Sequence, residues 1–165
     1  VEQGSRTGNR ELGTQEEESS VKAADVLPNF REELQRIPKL IENLGRAELD
    51  RKIVDHPKVR SIGDLARHQA DVEGFFWATL AGQERPAKLT RESHGDAASL
   101  VKAMADVRER LAAHVESLSL EELDKTLKTA MGDRAAKQVL WGLVSETNNN
   151  RGQILLNLRL QNPDR

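Results

Sequence analysis

The sequence predicts an all-α fold, a four-helix bundle. Three observations carry this. Apolar residues recur at spacings of three and four along four long stretches, the period of a helix with one buried face. No stretch sustains the alternation of a half-buried strand. Helix-starting pairs such as Ser61 with Asp64, and helix-stopping glycines such as Gly45 and Gly82, fall where periodic stretches begin and end.

The elements follow in order. The opening VEQGSRTGNRELGTQEEESS is polar, with almost no apolar residue, and cannot bury enough surface to offset the entropy of ordering. Residues 1–25 are therefore read as a disordered tail and 26–165 as the bundle domain. Helix one is expected from Leu27 to Leu44, with Phe30, Leu34, Ile37, Ile41 and Leu44 inward. Pro28 suits its first turn, and Pro38 predicts a kink or local break. AELDRKI is read as one further turn.

Helix two starts at the Ser61 capping box and ends at Gly82, with Ile62, Leu65, Val72, Phe75, Phe76 and Leu80 as its apolar face. The polar connection AGQERPAKLTRESHG is long for an antiparallel hairpin and leaves room for a crossover. Helix three covers Asp96 to Ser117, with a stripe of Leu100, Met104, Val107, Leu111 and Leu118. Ser119 with Glu122 opens a short extra helix. Helix four spans Asp133 to Leu160, with Val139, Leu140, Leu143, Ile154 and Leu158 buried.

Composition narrows the function. The 165 residues suit one domain with a real core. The absence of cysteine excludes disulfides, thiolate metal sites and cysteine nucleophiles, and fits a cytoplasmic protein. A net charge of −2 and an aromatic share of 3% give no footprint for nucleic acid. No apolar run reaches the roughly 20 residues of a membrane span, and no signal peptide is evident. The charge is uneven: residues 1–25 hold six acids against three basic residues.

Polar residues on apolar faces are the candidates for chemistry. His56 and His94 fall in connections, and His114 borders the core face of helix three. Leu65, His68, Val72 and Phe75 put an imidazole on the stripe of helix two. Leu143, Glu146, Asn150 and Ile154 put a carboxylate and an amide on or near the buried side of helix four. A carboxylate facing a core is costly unless paired, hydrogen-bonded or bound to a cation. Two readings stay open: a metal site between facing helices, or a hydrogen-bonded polar layer that fixes their register.

Two motifs in order resemble the DinB/YfiT-like superfamily. DLARHQADVEGFFW is similar to that family's LxxHxxxxExxxW, with His68, Glu73 and Trp77 in register. ETNNNRGQILLNLRL is similar to its HxxxHRGQ and leucine-rich tail, through Arg151, Gly152 and Gln153. The resemblance covers about residues 26–162. It implies a four-helix bundle of up-down-down-up topology with the long crossover between helices two and three, and a homodimer. It also implies a divalent metal, zinc or nickel, on one histidine from helix two and two from helix four. Characterised members work with small thiols such as bacillithiol or mycothiol.

His68 matches the first ligand position, whereas Glu146 and Asn150 stand where the other two histidines belong. The resemblance thus implies a metal set of His68, Glu146 and Asn150 in a thiol transferase with an altered metal site. The alternative is a non-catalytic ligand-binding or dimerising bundle that has lost its metal; the metal-free state is expected to hold a His68–Glu146 pair with Asn150 hydrogen-bonded alongside. Glu73, Trp77, Arg151 and Gln153 are candidate structural or substrate-pocket residues. Arg151 is expected to pair with Glu73 or Asp71 on helix two, Trp77 to lie in the core or at a dimer face, and Asn148 and Asn149 to face outward or towards a neighbouring subunit.

Overall fold

The computed structural model describes residues 22–130 and 132–163; the expected tail lies outside these except for its last four residues. A short helix α1 (Ala23–Val26) comes first. Ala23 is fully buried, and its N–H donates to the Leu118 carbonyl at 2.8 Å. Helix α2 (Phe30–Ile41) buries Phe30, Leu34, Ile37 and Ile41. Pro38 sits inside α2 without ending it; the Pro38 carbonyl still accepts the N–H of Glu42. The further turn after Gly45 is α3 (Arg46–Asp50).

Helix α4 (Ile62–Ala81) begins at the expected capping box. Ser61 Oγ accepts the Asp64 N–H at 3.2 Å and the Asp64 carboxylate accepts the Ser61 N–H at 3.4 Å. Gly82 stops the helix at φ 62°, a left-handed conformation that costs glycine nothing. The connection that follows runs back along α4. Asp71 accepts the Leu89 N–H through its carboxylate at 3.3 Å and Arg85 through its carbonyl at 3.2 Å. A Cβ on Gly74 would lie 3.3 Å from Pro86, a tight contact that would push the connection back by a few tenths of an ångström.

Helix α5 (Ala97–Ser117) is capped by Asp96, and α6 (Leu120–Asp124) by Ser119 with Glu122. A two-stranded antiparallel hairpin follows, β1 (Thr126–Thr129) with β2 (Gly132–Ala135), which corrects the strand-free expectation. It takes the residues expected to begin helix four, so α7 runs over Ala136–Gln161.

The interior divides into two apolar clusters. One gathers the start of α2 (Phe30, Leu34), the end of α4 (Phe76, Leu80), the end of α5 (Leu111, Val115) and the start of α7 (Val139, Leu143). The other gathers the end of α2 (Ile37, Ile41), the start of α4 (Leu65, Ala66), the start of α5 (Leu100, Met104) and Ile154 late in α7. Helices α2 and α7 therefore run one way, and α4 and α5 the other. This is the up-down-down-up bundle, and the long connection is what lets α4 and α5 lie parallel.

Candidate functional site: a buried polar layer and the groove beside it

Between the two clusters lies a layer of polar side chains. Gln69 and Glu73 come from α4, Arg108 from α5, and Thr147 and Asn150 from α7; all five are buried. Glu73 and Arg108 are 0% and 1% exposed. Arg108 grips the carboxylate with two nitrogens, Nε to Oε2 and Nη2 to Oε1, each at 2.6 Å. Gln69 Nε2 donates to Glu73 Oε1 at 2.7 Å and to Thr147 Oγ at 2.8 Å, and Asn150 Nδ2 donates to Gln69 Oε1 at 2.7 Å. The chain of bonds joins three helices, and each bond strengthens its neighbours in a low-dielectric interior. Arg108 Nη1 is buried and has no partner among the described residues.

The sequence-derived residues fall on both sides of this layer. Asn150 belongs to it, as does Glu73, whose partner is Arg108. Arg151 does not pair with Glu73 or Asp71, a correction to the expectation. It lies on another face of α7, towards α2, and its Nη1 meets Glu33 Oε2 at 3.5 Å. Glu146 is exposed rather than inward, because Thr147 takes the place facing Gln69. His68 is half-buried and makes no side-chain hydrogen bond among the described residues, so the expected His68–Glu146 pair is not formed. Burial, joined by the charge of Arg60, pushes its imidazole below the ordinary histidine value, against the opposing pull of Glu146 and Asp71.

Trp77 is half-buried against the first cluster, with the Arg110 guanidinium 5.7 Å from its ring centre. Gln153, Asn148 and Asn149 are exposed, and Gln153 donates to Asn149 Oδ1 at 3.3 Å. His114 is half-buried, with Nε2 unpartnered among the described residues.

The donors at the three ligand positions fit a divalent metal poorly. They are one imidazole, one exposed carboxylate, and a neutral amide whose nitrogen is already bonded to Gln69. Zinc favours imidazole, thiolate and carboxylate, and nickel favours imidazole, so the amide is the weak member. Among the described residues no three of His, Cys, Asp and Glu gather where they could hold a metal ion.

A groove of about 380 Å³ opens between α2 and α7. Its walls are apolar, from Leu27, Phe30, Leu34, Leu143 and Val144. Arg36, Arg151 and Glu33 also line it, with Arg36 Nη2 2.6 Å from Glu33 Oε1. Thr147 lines the same groove and ties it to the polar layer. Its oxygen accepts from Gln69, and its own proton has no acceptor among the described residues. Sequence reading missed Gln69, Arg108 and Thr147, although all three sit at helical spacing among core residues.

Residues 29–154 match the family described as the DinB superfamily. No curated protein matches the chain.

Proposed function

The chain belongs to the DinB superfamily, and from that premise we propose a metal-independent member that binds a small anionic amphiphile in the groove between α2 and α7. The observation that carries the reading is the bonding of Asn150. Where the resemblance calls for a ligand histidine, this chain has an amide held by Gln69, which is held in turn by Glu73 and Arg108. In such a layer the buried carboxylate is already paired with a guanidinium, so it calls for no metal cation.

The groove supplies what a small ligand needs: apolar walls, and a few polar groups that fix orientation. Glu33 balances one of the two guanidiniums, leaving one positive charge for an anion. The free proton of Thr147 is a second, buried donor. No helix among the described residues is long and apolar enough to cross a membrane.

The thiol-transferase reading keeps one observation in its favour: the imidazole of His68 is held towards its neutral, metal-accepting form and is not bonded elsewhere. Two titrations separate the readings. In calorimetry, wild type is expected to bind zinc and nickel no better than His68→Ala, whereas Glu146→His with Asn150→His gains tight binding. Hexanoate is expected to bind wild type more tightly than hexanol, and Arg151→Ala to abolish that difference. Stoichiometric zinc on wild type, lost in His68→Ala, would restore the metal reading. Hexanoate binding that ignores Arg151→Ala and Thr147→Val would remove the groove.

A further inference from the structure

The hairpin carries a cation on its inner side. In the register of β1 and β2, Leu127 lies opposite Arg134, and Lys128 opposite Asp133. Residues paired across two strands share a face, and successive residues alternate between faces. Leu127 packs against the first apolar cluster, so its face is the one turned to the bundle. Arg134 shares that face, whereas Asp133 and Lys128 share the outer one. Nearby, Lys125 pairs with Glu122 and Lys137 with Asp124, but Arg134 makes no ion pair among the described residues.

Arg134 lines an open cavity of about 620 Å³ between the hairpin, α4 and α7, against about 380 Å³ for the groove between α2 and α7. The apolar part of its lining is mostly aromatic. The chain has three Phe and two Trp and no other ring of this kind, and Phe75, Phe76 and Trp141 all line this one cavity. The two phenylalanine rings meet edge to face with 5.4 Å between centres. Gly142 leaves the wall to them, since a Cβ there would lie 3.2 Å from two atoms of the Phe76 ring. Trp141 is 73% exposed, and an indole so placed offers a flat face for stacking.

The charge of the lining has one sign. Arg134 and Lys137 contribute to it, and no Asp or Glu does. Asp124 balances Lys137, which leaves one guanidinium, so a single negative charge completes the cavity. The planar fork of arginine matches a carboxylate in two parallel bonds. His68, Glu146 and Asn150 are not in the lining, so this cavity stands apart from the metal reading as well as from the other groove.

We propose that the cavity is a second binding site, one that takes a small aromatic carboxylate stacked on Trp141 with its charge at Arg134. The test uses the full chain and naphthoate as probe. In calorimetry, naphthoate is expected to bind more tightly than neutral naphthamide and than saturated decahydronaphthoate. Arg134→Gln should weaken naphthoate about tenfold, the usual worth of a hydrogen bond to a charged group, and leave naphthamide unchanged. Trp141→Ala should weaken both about fivefold, the worth of an aromatic stack. Both residues are exposed, so the circular dichroism spectrum of each variant should stay as in wild type. Arg151→Ala, in the other groove, should leave naphthoate as it is. The two tryptophans give two indole N–H resonances, and on titration that of Trp141, identified by its loss in Trp141→Phe, should move while that of Trp77 stays. No binding at millimolar naphthoate overturns the inference, as does binding indifferent to Arg134→Gln. Naphthoate lost in Arg151→Ala but kept in Arg134→Gln would belong to the groove between α2 and α7, which overturns this site and leaves the earlier reading standing. Naphthoate behaving as expected beside hexanoate that ignores Arg151→Ala supports this site and removes only the groove.

Discussion

Arg108 and Glu73 form a two-pronged ion pair sealed in the middle of the bundle, both bonds at 2.6 Å and neither side chain more than 1% exposed. Removing one partner leaves an uncompensated buried charge. Arg108→Met is therefore expected to cost about 3–5 kcal/mol, and Glu73→Met a similar amount. The double substitution to Met removes both charges and should recover most of the loss. Urea unfolding of the four proteins measures this as a coupling energy. Simple additivity of the two losses would show that the pair does not act as a unit.

Thr147→Val isolates the link between layer and groove. The hydroxyl is lost, but Gln69 Nε2 keeps Glu73 as a partner. The expected cost is about 1 kcal/mol, the usual net worth of one neutral hydrogen bond. A loss several times larger, read by thermal unfolding, would mean that the layer collapses without this residue.

Two glycines of α7 should respond differently to alanine. At Gly152 a Cβ meets nothing within 4 Å, so Gly152→Ala is expected to stabilise the chain in dilute solution by the helix-propensity difference, about 1 kcal/mol. At Gly142 it would lie 3.2 Å from two atoms of the Phe76 ring, which must shift. Gly142→Ala should gain less or lose stability. Equal gains in urea unfolding would show that the ring moves freely into the neighbouring cavity.

Ser61→Ala tests the start of α4. It removes the acceptor for the Asp64 N–H, and typically such a loss costs about 1 kcal/mol. A smaller change would mean that the Asp64 carboxylate, bonded to Arg67 at 2.8 Å, holds this end by itself.

Stability should fall on acidification in two stages. His68 has its folded pKa pushed down by burial, so the unfolded chain takes up that proton first. Its contribution is present above the ordinary histidine value, about 6.5, and is lost as the pH falls below it towards the folded value. His68→Gln should flatten this upper stage. The lower stage belongs to carboxylates held below their ordinary values. Hydrogen bonding to Arg31 does this for Glu116, and the backbone N–H groups of Ser99 and Ser119 do it for Asp96 and Glu122. Their contribution is present above about pH 4.5 and is lost as the pH falls through the folded values. Urea midpoints from pH 3 to 8 would reveal both stages or their absence.

The four long helices were legible because each buries one face, and a period near 3.6 survives in any list of apolar residues. Phe30, Leu34, Ile37 and Ile41 are all buried as their spacing requires. The hairpin was not legible. Its strands have four residues each and little to bury: in TLKT and GDRA only Leu127 is a large apolar residue. Pairing of backbone groups, not a hydrophobic pattern, makes this element. The polar layer was half legible. Leu143, Glu146 and Asn150 satisfy helical spacing, but so do Leu143, Thr147 and Asn150. Neighbouring residues stand 100° apart on the helix, and periodicity alone cannot choose between them near the edge of the buried arc. Burial chose Thr147, which satisfies Gln69 without bringing in a second carboxylate beside Glu73. Met104, Arg108, Leu111 and Val115 follow the spacing that singled out His68, so Arg108 was visible to the same test.

The polar layer also divides the labour of holding the fold. Each apolar cluster draws on all four long helices, and the hydrogen-bonded layer lies between the two. Cooperativity between the ends therefore draws on helix backbones and a handful of polar bonds. Amide exchange should sort the interior into two protected blocks, one around Leu111 and Leu143 and one around Leu65 and Met104, each able to open while the other stays closed.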